Sequence, residues 1–237
     1  MIFGAILAGG IGSRMHMADM PKQFLPLGDK PIIIHTLEKF LTCAGMDKVY
    51  LGVHRDYVEY TKDLIRRHIP VQQERVLVVA GGADRNETIF NIVHAIEEQF
   101  GADPDHVIVT HDAVRPFVSL RILQENIQGA LEYGAVDTVV PAIDTIVESQ
   151  DGQVIAGIPE RRYMYQGQTP QSFRIGVLKQ MYGALSEDEK KLLTDACKIC
   201  VVRNYPVHLI MGDVTNLKIT TPGDYKIAQA MVGGIQP

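Results

Sequence analysis

Three short segments combine glycines, cations and a carboxylate in a way that suits phosphate chemistry. The first is Leu7-Ala8-Gly9-Gly10-Ile11-Gly12-Ser13-Arg14-Met15, followed closely by Pro21-Lys22-Gln23. Glycines let successive backbone amides approach a phosphate and form an anion-binding concavity. Arg14 and Lys22 add two cations beside that loop, as a polyphosphate requires. The segment is not a dinucleotide fingerprint, because Met15 stands where the last glycine of G-x-G-x-x-G belongs, and it is not a P-loop. The second segment is Gly81-Gly82-Ala83-Asp84-Arg85-Asn86-Glu87-Thr88. Asp84 there reads either as a plain helix N-cap or, with the backbone and the Thr88 hydroxyl, as part of a base or ribose contact. The third is Thr110-His111-Asp112-Ala113-Val114-Arg115-Pro116. Asp112 at the end of a strand is placed to hold Mg²⁺, which takes carboxylate and phosphate oxygens. His111 reads as a hydrogen-bonding residue rather than a catalytic base.

These segments need elements to aim them. Short apolar runs at 2–7, 49–53, 75–80, 107–110 and 135–140 predict strands. Helical spacing predicts helices over 31–44, 56–68 and 87–100, and from Leu120 through Leu131. Strands alternating with helices imply βαβ units, hence an α/β fold with a mostly parallel twisted sheet and helices on both faces. The three segments then fall at carboxyl ends of successive strands, where an open parallel sheet places its ligand. The pattern changes after Pro141. Residues 143–158 contain Asp151-Gly152, a hairpin signal, and predict a protruding β-arm. Helices are expected near 175–185, 187–198 and 222–232, and late strands at 207–211 and 217–220. One domain over 1–237 with an arm at 143–158 is the simplest organisation.

Composition narrows the function. The 237 residues carry 23 Lys and Arg against 28 Asp and Glu, a formal charge of −5. An acidic chain is not a general nucleic-acid binder, since phosphate backbones demand an excess of cations. No stretch has the ~18 apolar residues of a membrane span. The apolar opening lacks a basic leader region and runs into glycines, so it reads as a buried strand and not a signal peptide. Three cysteines make no disulfide framework and fit a reducing, cytoplasmic setting. Cys197 and Cys200 read as packing residues, without the second Cys pair or the His cluster of a zinc site.

Taken in order, Leu-Ala-Gly-Gly-x-Gly-x-Arg-Met, Pro-Lys-Gln, Gly-Gly-x-Asp-Arg, His-Asp-x-x-Arg-Pro, Gln168-Thr169-Pro170-Gln171, Thr194-Asp195-Ala196 and Asn216-Leu217-Lys218-Ile219-Thr220 resemble the cytidylyltransferase family. That family includes enzymes acting on 2-C-methyl-D-erythritol 4-phosphate in isoprenoid synthesis and on ribitol 5-phosphate in teichoic-acid synthesis. The match spans nearly the whole chain. The stretches from Gly81, Val136, Tyr165 and Leu193 resemble the ribitol-phosphate branch. The isoprenoid enzymes usually carry a Trp before Thr-Pro-Gln; this chain has no Trp and reads Tyr163-Met-Tyr-Gln-Gly there.

The resemblance implies transfer of a cytidylyl group from CTP to D-ribitol 5-phosphate, giving CDP-ribitol and pyrophosphate. Its same-class alternative takes the methylerythritol phosphate. An NAD(P)-dependent oxidoreductase and a non-catalytic nucleotide-binding protein are the alternatives of other classes. The resemblance further implies that Arg14 and Lys22 stabilise the transition state at the α-phosphate. Leu7, Ala8, Gly9 and Gly10, the run Gly82, Ala83, Asp84, Arg85, Asn86, Glu87 and Thr88, and Asp112, Ala113 and Arg115 would bind CTP. Asp112 would be associated with Mg²⁺ or another divalent cation. Arg161, or its neighbour Arg162, and Lys218 would position the acceptor phosphate. The arm at 143–158 would form a homodimer.

Overall fold

The first strand shows how the core divides. Phe3 and Ala5 face one side of the sheet, and Ile6 and Ala8 the other, all of them buried. Alternate residues of a strand point to opposite faces, so a continuous apolar run must be covered twice. The computed structural model describes residues 1–10, 20–193 and 195–233, and in them that requirement is met.

The elements run β1 (Ile2–Ala8), β2 (Pro26–Leu27), β3 (Lys30–Pro31), α1 (Ile32–Thr42), β4 (Lys48–Val53), α2 (Val58–His68), β5 (Val76–Ala80), α3 (Arg85–Phe100), β6 (Val107–Asp112), α4 (Leu120–Tyr133), β7 (Ala135–Pro141), β8 (Tyr165–Arg174), α5 (Ile175–Gly183), α6 (Glu187–Lys191), α7 (Cys197–Val202), β9 (His208–Met211) and α8 (Pro222–Gly233). Strands β2 and β3 form a small separate hairpin, and the others make a seven-stranded sheet in the order β5-β4-β1-β6-β8-β7-β9. Strands β5, β4, β1 and β6 are mutually parallel, as are β7 and β9; β8 is antiparallel to both its neighbours. Helices α1, α2 and α4 bury Leu37, Phe40, Leu64, Ile65, Ile122 and Ile127 on one face. Helices α3, α5 and α7 bury Ile89, Ile92, Ile96, Leu178, Ile199 and Cys200 on the other. Cys197 and Cys200 are buried free thiols of that second core.

After β5 the chain returns past β1 to form β6, so the strand order reverses there. The crevice beyond the carboxyl ends of β1 and β6 is a topological switch point. A third apolar cluster, Leu25, Leu27, Ile32, Val114, Ile219, Tyr225 and Ala228, fastens α8 beside it.

Three expectations need correction, and one strand was not expected at all. Strand β8 carries no apolar run and goes unpredicted. Its buried Thr169, Gln171 and Ser172 are held by hydrogen bonds instead: Ser172 Oγ donates to Asn126 Oδ1 at 3.0 Å, and Thr110 Oγ1 donates to the Gln171 carbonyl at 2.8 Å. The helix expected over 187–198 is two helices, with Asp195 Oδ1 accepting from the Cys197 amide at 2.8 Å to start the second. Residues 217–220 form no strand: the Ile219 amide reaches the Val114 carbonyl at 2.9 Å while the Thr220 amide turns to Asp224 Oδ2. The 143–158 segment turns at Asp151-Gly152, where Gly152 has φ +72 and Asp151 Oδ1 accepts from the Gln153 and Val154 amides. Its flanks meet in a single bridge, Glu148 to Gly157, instead of two strands.

Candidate active site

At the switch point lies a cavity of about 300 Å³. Its walls are the residues after β1, the loop before α3, the end of β6, and the segment before α8.

Gly9 and Gly10 leave β1 held by Gln23. That buried side chain donates Nε2 to the Ala8 carbonyl at 2.7 Å and the Gly10 carbonyl at 3.0 Å. The bonds tie the loop after β1 to Gln23, which lines the cavity together with neighbouring Lys22. The loop before α3 is folded onto its own helix. Asp84 Oδ1 accepts from the Glu87 amide at 2.8 Å, Glu87 Oε2 accepts from the Ala83 amide at 2.8 Å, and Thr88 Oγ1 accepts from the Gly82 amide at 3.0 Å. Asp84 is thus an N-cap and a wall residue together. Gly82 permits the close turn: a Cβ there would stand 2.4 Å from the Glu87 Cβ.

Asp112 is the electrostatic centre. Arg85 Nη1 bonds its Oδ1, Lys218 Nζ lies 2.8 Å from Oδ2, and Arg115 Nε lies 3.6 Å from Oδ2. Burial alone would raise its pKa, but the Arg85 and Lys218 charges and hydrogen bonds outweigh that and hold the carboxyl far below the usual range. Asp112 therefore stays ionised and gathers three cations at one point.

His111 stands behind it. Burial lowers its pKa to about 4, so the ring is neutral near pH 7. Both nitrogens are committed. The Arg115 carbonyl lies 3.1 Å from Nε2, and Thr169 Oγ1 lies 2.9 Å from Nδ1 while accepting from the Asp112 amide at 3.2 Å. The consistent proton order has Nε2–H donating to Arg115 and the Thr169 hydroxyl donating to Nδ1. His111 is a strut, as its hydrogen-bonding reading expects.

An Mg²⁺ resident on Asp112 does not fit this donor set. Carboxylate oxygen is the right chemistry, yet both oxygens are already occupied by cations.

The structure brings Leu7, Ala8, Gly9, Gly10, Lys22, Gly82, Ala83, Asp84, Arg85, Thr88, Asp112, Ala113 and Lys218 to one cavity. Asn86 is buried beneath the loop and Arg115 behind Asp112, so neither lines it; Glu87 braces the loop instead. Arg161 does not line it either: it sits by the arm, donating Nη1 to the Ile143 carbonyl at 2.9 Å, while Arg162 pairs with Glu160. Arg14 lies outside the described residues. Val114 and Gln23 in the wall, and Thr169 and Asn216 as supports, carry no such role in the sequence reading. Position within the Pro-Lys-Gln, Gln-Thr-Pro-Gln and Asn-Leu-Lys motifs was the available signal.

Residues 2–234 match the family described as 2-C-methyl-D-erythritol 4-phosphate cytidylyltransferase (IspD). The chain is 52% identical over 232 residues, covering 98% of it and 99% of the relative, to the ribitol-5-phosphate cytidylyltransferase of Streptococcus pneumoniae serotype 2. The 4-diphosphocytidyl-2C-methyl-D-erythritol synthase of Anaerococcus prevotii has a similar crystal structure, with TM-score 0.79, 26% identity, and coverage of 98% of this chain and 96% of that one. A second crystal structure bearing that enzyme name gives TM-score 0.80 at 27% identity, with 98% of each chain covered. This chain belongs to the IspD-type cytidylyltransferase family of nucleotidyltransferases.

Proposed function

We propose that the protein transfers a cytidylyl group from CTP to D-ribitol 5-phosphate, giving CDP-ribitol and pyrophosphate. The observation that supports transfer between two phosphates is the gathering of Arg85, Arg115 and Lys218 on ionised Asp112 beside a glycine-lined cavity. The choice of ribitol phosphate rests on the 52% identity to a relative of that name, against 26–27% for the two methylerythritol enzymes. A role in teichoic-acid precursor synthesis in the cytoplasm follows from that reading. No described helix is long and apolar enough to cross a membrane.

The nucleophile is an oxygen of the acceptor phosphate. With a second pKa of ~6 it is largely a dianion at pH 7 and needs no general base. Neutral, fully bonded His111 agrees with that. The oxygen attacks the α-phosphorus of CTP, and the bond from that phosphorus to the oxygen bridging the α- and β-phosphorus breaks, releasing pyrophosphate. The obstacle is repulsion: one unit-charge pair at ~4 Å and an effective dielectric of ~20 interacts by about 4 kcal/mol. Fixed amides and cations offset it with no reorganisation during the reaction. The Gly9-Gly10 amides and Lys22 face the triphosphate in this reading, Lys218 faces the acceptor, and the family resemblance assigns Arg14 to the triphosphate as well. A divalent cation supplied with CTP would neutralise part of the triphosphate charge. Arg161 reaches an acceptor only from a second copy, and the exposed Val147, Val154, Ile155 and Ile158 of the arm are the apolar surface for that homodimer.

The test is product formation. Incubated with MgCTP and ribitol 5-phosphate, the protein is expected to release pyrophosphate and produce the two coupled ³¹P resonances of a diphosphate diester. CTP should be favoured over UTP and ATP. Pyrophosphate release without the diester, or no preference for CTP, contradicts the proposal.

A further inference from the structure

Lys218 has no regular element to hold it. It lies in the irregular stretch between β9 and α8, with its side chain 45% exposed and its Nζ 2.8 Å from Asp112 Oδ2. A long, flexible lysine in such a stretch is placed only as well as its backbone is.

Two anchors bracket it. On the far side, Ile219 is buried in the third apolar cluster and its amide donates to the Val114 carbonyl at 2.9 Å. On the near side stands Asn216, fully buried. Its Nδ2 donates to the Thr169 carbonyl at 2.8 Å and to Gln168 Oε1 at 3.1 Å. Its own carbonyl accepts from Arg115 Nη1 at 2.7 Å. Gln168 also clasps the start of the stretch, donating Nε2 to the Asp213 carbonyl at 2.9 Å. A buried carboxamide costs desolvation unless its donors are matched. Here both Nδ2 hydrogens are matched, by Gln168 and Thr169 within β8, while Oδ1 has no partner among the described residues. The Thr169 hydroxyl accepts from the Asp112 amide, and Arg115 is paired with the Asp112 carboxylate. One side chain therefore registers the lysine stretch against the same residue that the lysine grips.

We infer that Asn216 is a positioning residue for the acceptor phosphate, acting through Lys218 with Gln168 as its support. The inference rests on Lys218 being the acceptor-side cation. It assigns Asn216 no contact with substrate.

A double-mutant cycle tests it, because residues that act through one another give non-additive losses. With CTP saturating and ribitol 5-phosphate varied, Asn216→Ala should raise the acceptor KM by about tenfold or more, since small displacements of a positioning group carry costs of that order. The KM for CTP should stay within about twofold. In a Lys218→Ala background the same substitution should change acceptor kinetics by less than about twofold, although its effect on Tm remains. Equal losses in both backgrounds, with Lys218→Ala itself damaging, overturn the role of Asn216 alone. Lys218→Ala with normal acceptor kinetics overturns the reading of the site, and the inference with it. Should Asn216→Ala not fold, Gln168→Ala removes one of the two Nδ2 acceptors and the Asp213 clasp from a partly exposed position. It is expected to show a smaller rise in acceptor KM, of about threefold, that again vanishes without Lys218; an unchanged acceptor KM, or a rise that persists without Lys218, overturns the inference.

Discussion

Asp112 is defined by its surroundings more than by its type. A carboxylate with open oxygens could ligate a cation; one bonded by Arg85 and Lys218 and approached by Arg115 is a counter-ion. Asp112→Asn should therefore scatter the three cations and lower kcat/KM by about 10²-fold, within the cost of losing a preorganised charge contact. The Mg²⁺ concentration for half-maximal activity should stay within about twofold, and a tenfold rise would restore Asp112 as a metal ligand. Lys22→Ala should lower kcat by about 10²-fold, roughly 3 kcal/mol of barrier, with Tm little changed. Near-normal turnover of the folded variant removes Lys22 from the reaction. At this scale the sequence was readable where a residue type has one dominant use: glycines beside cations, a strand-end carboxylate. It was unreadable for Gln23 and Asn216, whose importance lies in which buried carbonyls they reach.

The loop before α3 shows what an element contributes. Its glycine pair, its cap and its first-turn glutamate are one unit, with Asp84 holding the Glu87 amide and Glu87 holding the Ala83 amide. Asp84→Ala should cost about 1 kcal/mol of stability, read as a lower midpoint in urea, and Asp84→Ser should recover most of it. Gly82→Ala should displace Glu87 and raise the KM for CTP at unchanged acceptor KM; no change in either would show that the loop does not touch the nucleotide. Strands β1, β4 and β6 were legible because both faces are covered and each carries a run of apolar residues. Strand β8 was not. Its Thr169, Gln171 and Ser172 are buried yet polar, made tolerable by partners from β6, β7 and α4 that no local pattern displays. The arm was legible at its Asp-Gly turn and illegible in its flanks, where one bridge stands in place of a ladder.

The whole molecule is an acidic body with its useful cations concentrated in one crevice. A net charge of −5 excludes broad polyanion binding and leaves room for a phosphate site built on a single carboxylate. Away from that crevice the acidity carries its own cost. Gln171 Nε2 bridges Asp137 Oδ1 at 3.1 Å and Asp195 Oδ2 at 2.7 Å. Burial, with a smaller contribution from Asp195, pushes the Asp137 carboxyl up to about 6. A carboxyl with a folded pKa above its unfolded value of ~3.9 favours the folded state below that value, and the benefit is lost as pH rises through the folded pKa. Asp137→Asn keeps an acceptor for Gln171 and should raise Tm at pH 8 but hardly at pH 4, by at most about 3 kcal/mol in free energy; an equal change at both pH values contradicts the assignment. The measurement that bears most directly on what the molecule does is a comparison of two acceptors with MgCTP, ribitol 5-phosphate and 2-C-methyl-D-erythritol 4-phosphate, by pyrophosphate release. The expected result is a kcat/KM at least about 10²-fold higher for ribitol 5-phosphate, the scale that a few lost polar contacts impose on a poor substrate. Equal values, or a preference for the methylerythritol phosphate, would contradict the proposed function.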